Sequence, residues 1–227
     1  MNKTYYFEIF FALLWCFLAF AHHSFGRFVD IPILLLILSF TFLAREQLNI
    51  QHISTCILLV MLIELAGFEL ILAKLLVDEK PFYQNLTIYL LQLICDLFLF
   101  FYFKNRVRLS LYYVERRNPA QREYIYMTHA DILLVGVFFL FILVDIAAFS
   151  ENIIRNLEYL GIEESFAKQF WHWGLVFNSY PYLKSVLLSL VITTLLATIY
   201  IERFRPAPIK ESEEDLTLKK SEPQHRS

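Results

Sequence analysis

Four carboxylates stand in stretches of the sequence that are otherwise apolar. Glu64 and Glu69 interrupt one long run, Asp96 the next, and Asp145 the one after that. An ionised carboxyl is expensive in hydrocarbon, so such residues face a cavity, a partner or a pathway. Asp96 shares a helical face with Gln92 and Tyr89. Lys74 is placed toward the outer end of its run, and no other lysine or arginine is read as an interior partner for the acids. The expected states are therefore a neutral acid, a metal-bound or proton-exchanging acid, or an acid paired across chains. Glu64 and Glu69 are five residues apart and do not share one face, so at most one of them points at Asp96. At 1.5 Å per residue, Glu64 lies about 16 Å from the inner end of its run and Asp96 about 10 Å from the inner end of its own, levels that helix tilt can bring together. A protonated acid hydrogen-bonded across a helix interface is the structural alternative.

Other polar residues are read more plainly. Thr128-His129-Ala130-Asp131 matches a capping box, with Thr128 as cap and Asp131 returning to its amide. Asp145, near the outer end of its run, shares a face with Asp131, but at about 21 Å the two cannot form one site. Ser185, Ser189 and Thr193 recur every four residues, a small-polar stripe that suits close helix packing or a wet path.

Several chemistries are excluded or disfavoured. The five glycines, at 26, 67, 136, 161 and 174, form no phosphate-cradling loop. Cys16, Cys56 and Cys95 each lie in an apolar run without a CxxC pair and read as packing thiols. The histidines fall into two groups, His22, His23 and His172 on one side and His52 and His129 on the other, with no HExxH or ordered ligand spacing. A Gly-x-Ser-x-Gly elbow is absent from the sequence. No metal or other cofactor is expected, and an intramembrane enzyme is the least favoured of three functional readings. A formal net charge of −2 supplies no field for nucleic acid.

The elements that must position the acids are long apolar helices. Hydrophobic residues make up 58% of the 227-residue chain and charged ones 19%, more apolar and less charged than ordinary soluble domains. The 23 phenylalanines and 13 tyrosines suit lipid-facing and interfacial positions. The expected runs are Phe7–Ala21, Phe28–Ala44, Ile53–Val77, Leu86–Phe103, Ala130–Phe149 and Tyr182–Ile201. About twenty residues cross a bilayer, so the first two are short and the third can tilt. Lys3, the apolar stretch and Ala19-Phe20-Ala21 also imitate a cleavable signal, which would leave five spans. Asn178, Ser179 and Pro181 read as the start of the sixth helix.

Loop charge sets the orientation. Lys104, Arg106, Arg108, Arg116, Arg117 and Arg122 crowd the segment 104–123, while 150–169 holds four glutamates against Arg155 and Lys168. The positive-inside bias predicts both termini in the cytoplasm of a multi-pass protein of the bacterial inner membrane. Phe103, Val107, Leu111 and Val114 continue an apolar stripe through the basic segment until Asn118-Pro119 breaks it, which predicts a basic helical extension. Arg106, Arg108, Arg116 and Arg117 on it are candidate contacts for anionic lipid or a cytoplasmic partner protein.

On the outer side, Ser150–Leu160 has amphipathic spacing ending at Gly161. Ile162–Trp173 then groups Phe166, Phe170 and Trp173 as a belt, an external cap or a re-entrant element.

The fold expected is an all-α polytopic bundle of about six spans over residues 1–201, with a disordered cytoplasmic tail at 202–227. The function expected is a self-associating membrane subunit that conducts or senses protons or cations through Glu64, Glu69, Gln92, Asp96 and Asp145. The alternative is a non-conducting anchor that recruits a cytoplasmic effector.

Overall fold

A computed structural model describes residues 30–203, the side chains of Asp30 and Lys74 excepted. The expected run Phe7–Ala21 with its signal-like alternative, the start of the second run at Phe28 and the tail from 204 onward lie outside the described residues.

Every element described is helical, and each boundary has a local cause. Helix α1 (Asp30–Leu43) carries Pro32 in its first turn, where the missing amide has no intrahelical partner to lose. Helix α2 (Leu48–Leu70) runs on through a π-helical turn, Ile71–Leu75, closed by the Leu76 amide on the Ile71 carbonyl at 2.9 Å. Helix α3 (Pro81–Arg117) opens on a proline and ends where Asn118, extended ahead of Pro119, cannot continue it. Helix α4 (His129–Arg155) begins at the expected capping box, with both reciprocal bonds of Thr128 and Asp131 present. A four-residue helix α5 (Glu164–Ala167) lies among 3-10 turns, and helix α6 (Leu175–Arg203) completes the described chain.

Two boundaries differ from expectation. Ser150 caps no separate amphipathic helix, because α4 continues unbroken to Arg155 and only then tightens into the 3-10 turn Leu157–Leu160. Gly161, at φ 83°, does stop that turn in the left-handed conformation the sequence suggested. Pro181 does not start the last helix but lies inside it, seven residues in. The earlier start is supported from outside: the Phe177 amide donates to Glu151 Oε2 at 2.9 Å, satisfying a first-turn donor of α6.

Four of these helices are long and apolar enough to cross a membrane, Leu48–Ala73, Pro81–Arg117, His129–Arg155 and Leu175–Arg203, with a shorter apolar helix at Ile31–Leu43. The described residues thus form a multi-pass helical bundle with four such spans, and the first of the six expected runs lies outside them. Its outer surface is apolar, with Leu35, Phe42, Ile63, Phe98, Phe139 and Leu143 exposed, while Asp96, Arg106, Asp131 and Asp145 are buried. That distribution suits lipid outside and polar groups satisfied within.

Side-chain contacts fix the packing as up and down. At one end, Asn49 of α2 meets Arg106 of α3, and Gln47 Nε2 reaches the Ile199 carbonyl of α6 at 3.3 Å. At the other end, Asn152 Nδ2 of α4 donates to the Phe82 carbonyl of α3 at 3.3 Å, beside the Glu151 contact with α6. Helices α3 and α4 pack most closely, with α6 against α4 and α1 against α2. One close approach depends on a missing side chain: a Cβ at Gly67 of α2 would stand 2.5 Å from Leu91 Cδ2 of α3.

Candidate functional site

The acids from three helices converge on a base supplied by a fourth position. Lys184 Nζ of α6 lies 3.2 Å from Asp96 Oδ2 of α3 and 3.4 Å from Asp145 Oδ1 of α4. Both acids are buried, Asp145 completely, and the lysine side chain is only 14% exposed. Tyr180, one turn before Lys184, donates to Asp145 Oδ1 at 2.7 Å, and its hydroxyl stands 2.6 Å from Gln92 Oε1. Tyr89 packs edge-on against the Tyr180 ring at 5.2 Å. Glu64 of α2 lines the same space and interacts electrostatically with both Asp96 and Lys184.

The space is a cavity of about 490 Å³ between α2, α3, α4 and α6. Its polar rim is Glu64, Gln92, Asp96, Tyr180, Lys184 and Ser185, and its walls include Met61, Phe68, Leu91, Phe138 and Phe141. Lys184 Nζ also sits 5.1 Å from the Phe141 ring centroid and 5.7 Å from that of Tyr180, so the aromatic walls already face a cation.

The depth of the cluster follows from the revised helix ends. With α6 starting at Leu175, Lys184 is about 14 Å into its helix, and with α4 ending at Arg155, Asp145 is about 15 Å from that end. Both therefore lie more than two helical turns from the nearer end of their helix, not at that end. The expectation that the acids have no interior base is corrected here: Lys184 is that base. With the sixth run begun at Tyr182, Lys184 falls in its first turn and does not count as an interior residue. An isolated lysine in the apolar run Tyr182–Ile201 was the available signal, since such a residue needs an acidic partner. Tyr180 carried no signal, lying outside the run as drawn.

The placement of the other candidates divides them. Gln92, Asp96, Asp145 and Glu64 come together as described. Glu69 is exposed and outside the cavity. Ser185 lines the cavity and donates to the Pro181 carbonyl at 2.9 Å, while Ser189 is buried and donates to the Val186 carbonyl at 2.6 Å.

Arg106 is a second correction. It was expected to reach lipid or a partner, yet its side chain is 0% exposed and turned into the bundle. Its Nε donates to Asp131 Oδ1 at 2.7 Å, Nη1 to Asn49 Oδ1 at 2.7 Å and Nη2 to the Tyr126 carbonyl at 2.8 Å, with a further ion pair from Nη2 to Asp131 Oδ2. Asp131 therefore caps α4 and neutralises Arg106 with the same carboxylate. The inward stripe of α3 runs through Phe103, Arg106, Ser110 and Val114, with Val107 and Leu111 only half-buried. Arg108, Arg116 and Arg117 are exposed, with Arg116 over Tyr112 at 4.5 Å and Arg117 over Tyr113 at 5.5 Å.

Between the two polar clusters lies an aromatic stack. Phe103 of α3 is parallel to Phe138 of α4 at 5.4 Å, and Phe138 stacks on Phe141 at 5.6 Å. Toward the same end as Arg106, His52 Nδ1 and Ser110 Oγ are 2.9 Å apart. At the opposite end, Phe166, Phe170 and Trp173 gather as expected, with ring centroids 5.4 and 5.0 Å apart.

What this arrangement can do is hold charge in exchange. A single amine is shared by two carboxyls, with a third nearby, a tyrosine hydroxyl bridging acid and amide, and a cavity beside them. No protein-family model, curated protein or solved structure matches the chain, so its function is read from this chemistry.

Proposed function

We propose that the chain is a membrane subunit, working as an oligomer, that conducts or senses protons or cations at the Lys184 cluster. The supporting observation is the imbalance of charge. Asp96 and Asp145 against Lys184 make two acids to one base, and the Glu64 side chain lines the cavity beside them. Fully ionised, the two acids would carry one negative charge more than Lys184 offsets, at a depth where a buried charge costs several kcal/mol. Protons or cations are the species that restore neutrality, and their binding and release is the chemistry the cluster offers. The phenylalanine stack on the Arg106 side suits a sensor, or a conductor in its closed state. The bacterial inner membrane, with both chain termini in the cytoplasm, belongs to the same proposal and rests on the basic segment 104–123 against the acidic 150–169.

The test is ion flux in liposomes reconstituted with the full chain, with and without a pH gradient. Asp96→Asn and Glu64→Gln keep volume and hydrogen bonding but cannot ionise. Both are expected to fold and to lose most of the flux or its pH dependence. Flux no higher than in empty liposomes under every gradient would overturn conduction.

The anchor reading is favoured by a different observation, the exposed Arg108, Arg116 and Arg117 at the end of α3, two of them laid over tyrosines. Replacing the three with Gln should weaken binding to anionic vesicles or to a cytoplasmic partner, and unchanged binding at physiological salt would leave these arginines as topology signals only.

A further inference from the structure

We propose that the cavity beside Lys184 binds a lipophilic organic cation, an apolar or aromatic body carrying one positive charge, taken up in exchange for a proton. The proposal rests on the proton-handling reading of the same cluster and names what the cavity is for.

Size comes first. Protons and bare ions need a path of a few ångströms, whereas this space measures about 490 Å³, within the range of pockets that enclose organic molecules. Its walls are of the matching kind, apolar and aromatic over most of their extent, with Glu64, Gln92, Asp96 and Lys184 among them. An apolar body would be enclosed by Met61, Phe68, Leu91 and Phe138.

The sign of the ligand follows from the acids. An anionic headgroup would have to compete with Asp96 and Asp145 for Lys184, which already holds both at 3.2 and 3.4 Å. Because Asp96 and Asp145 are two carboxyls held by one amine, a cation can join Lys184 without displacing it. It faces the carboxyl-bearing rim formed by Asp96 and Glu64, and rings that already stand 5.1 and 5.7 Å from an ammonium group. A compact metal ion is less suited, because among the described residues no group of three or more His, Cys, Asp and Glu is arranged to hold one.

The exchange conserves charge without any covalent step. Before binding, a proton on the carboxyl rim offsets part of the excess of acid over amine. When the organic cation enters, its charge takes over that role and the proton leaves to water. When the cation leaves, a proton returns.

The experiment uses the purified full-length protein in detergent with tetraphenylphosphonium as probe and tetraphenylborate as its counterpart of similar shape and opposite charge. Saturable binding of the phosphonium is expected, weakening at acidic pH, with proton release detectable in weakly buffered solution. Glu64→Gln and Asp96→Asn should each weaken it at least tenfold, and the borate should bind at least tenfold less tightly than the phosphonium. Equal binding of both probes, or undiminished phosphonium binding in the two folded amide variants, would overturn the proposal. If an amide variant does not fold, Ser185→Trp takes its place, since it fills the cavity and removes no carboxyl; binding unchanged by that substitution would likewise overturn it. Proton flux in probe-free vesicles is measured alongside. Flux without phosphonium binding refutes the cation site and leaves proton handling standing, whereas binding without flux supports the cation site and refutes conduction.

Discussion

Arg106 and Lys184 both reach into the bundle but share no acid: Arg106 is held by Asp131, Lys184 by Asp96 and Asp145, and Phe103, Phe138 and Phe141 lie between the two sets. The Arg106 set is closed, each of its nitrogens having a protein acceptor. The Lys184 set adjoins a cavity and has more acid than base. The first arrangement suits a fixed joint, the second a site that changes state.

Lys184→Met should strand two buried carboxyls, a kind of loss that costs about 3–5 kcal/mol. The destabilisation should shrink on acidification, because protons then neutralise the stranded acids, and adding Asp96→Asn with Asp145→Asn should return most of the stability. Reversible unfolding in mixed micelles at neutral and mildly acidic pH measures both effects. A loss that is the same at each pH would assign Lys184 to packing alone.

Asp131→Ala should be more damaging than Arg106→Met. Each breaks the buried pair, but the aspartate also accepts the Thr128 amide at 2.7 Å, and a lost helix cap adds about 1 kcal/mol. The same unfolding measurement compares them, and equal losses would show that the cap contributes nothing here.

Phe138→Ala removes the middle ring of the stack. A deletion of this size in a packed core costs about 3–5 kcal/mol, and here it should also raise proton permeability, since the ring separates the Lys184 cluster from the Arg106 end. Dye-loaded vesicles report the leak. Permeability equal to that of the unaltered protein would mean that the neighbouring Leu99 and Leu134 suffice as a seal.

Glu151→Ala should loosen the start of α6, because the Phe177 amide loses its acceptor on α4. The expected cost is about 0.5–2 kcal/mol, with faster hydrogen exchange confined to the first turn of α6, and Glu151→Gln should retain most of the protection. Exchange unchanged in the alanine variant would show that another group caps this helix.

The sequence was most informative where structure depends on near neighbours. The capping box at Thr128 and Asp131, the break at Asn118-Pro119, the stop at Gly161 and the shared face of Tyr89, Gln92 and Asp96 all rest on spacings of seven residues or fewer, and the structure contains each. What eluded it depends on distant partners. Lys184 meets acids 88 and 39 residues away, and Arg106 meets Asn49 and Asp131 across 57 and 25. A positive charge at a span's end reads as a topology signal until a buried acid is found opposite it. Pro181 misled for a related reason: a first-turn proline and one deeper in a helix look alike in sequence, and the Glu151 contact that supports the earlier start comes from another helix.

The side chain missing at Gly67 gives a handle on the cavity that touches none of its charges. A methyl group there would press on Leu91 Cδ2, and Leu91 lines the cavity; a leucine tip can turn where a backbone cannot. One added carbon on α2 would therefore be felt as a change in room beside Asp96, with every acid, amine and hydroxyl left in place. The spacing of two helices at a glycine would then set how large a guest the bundle admits.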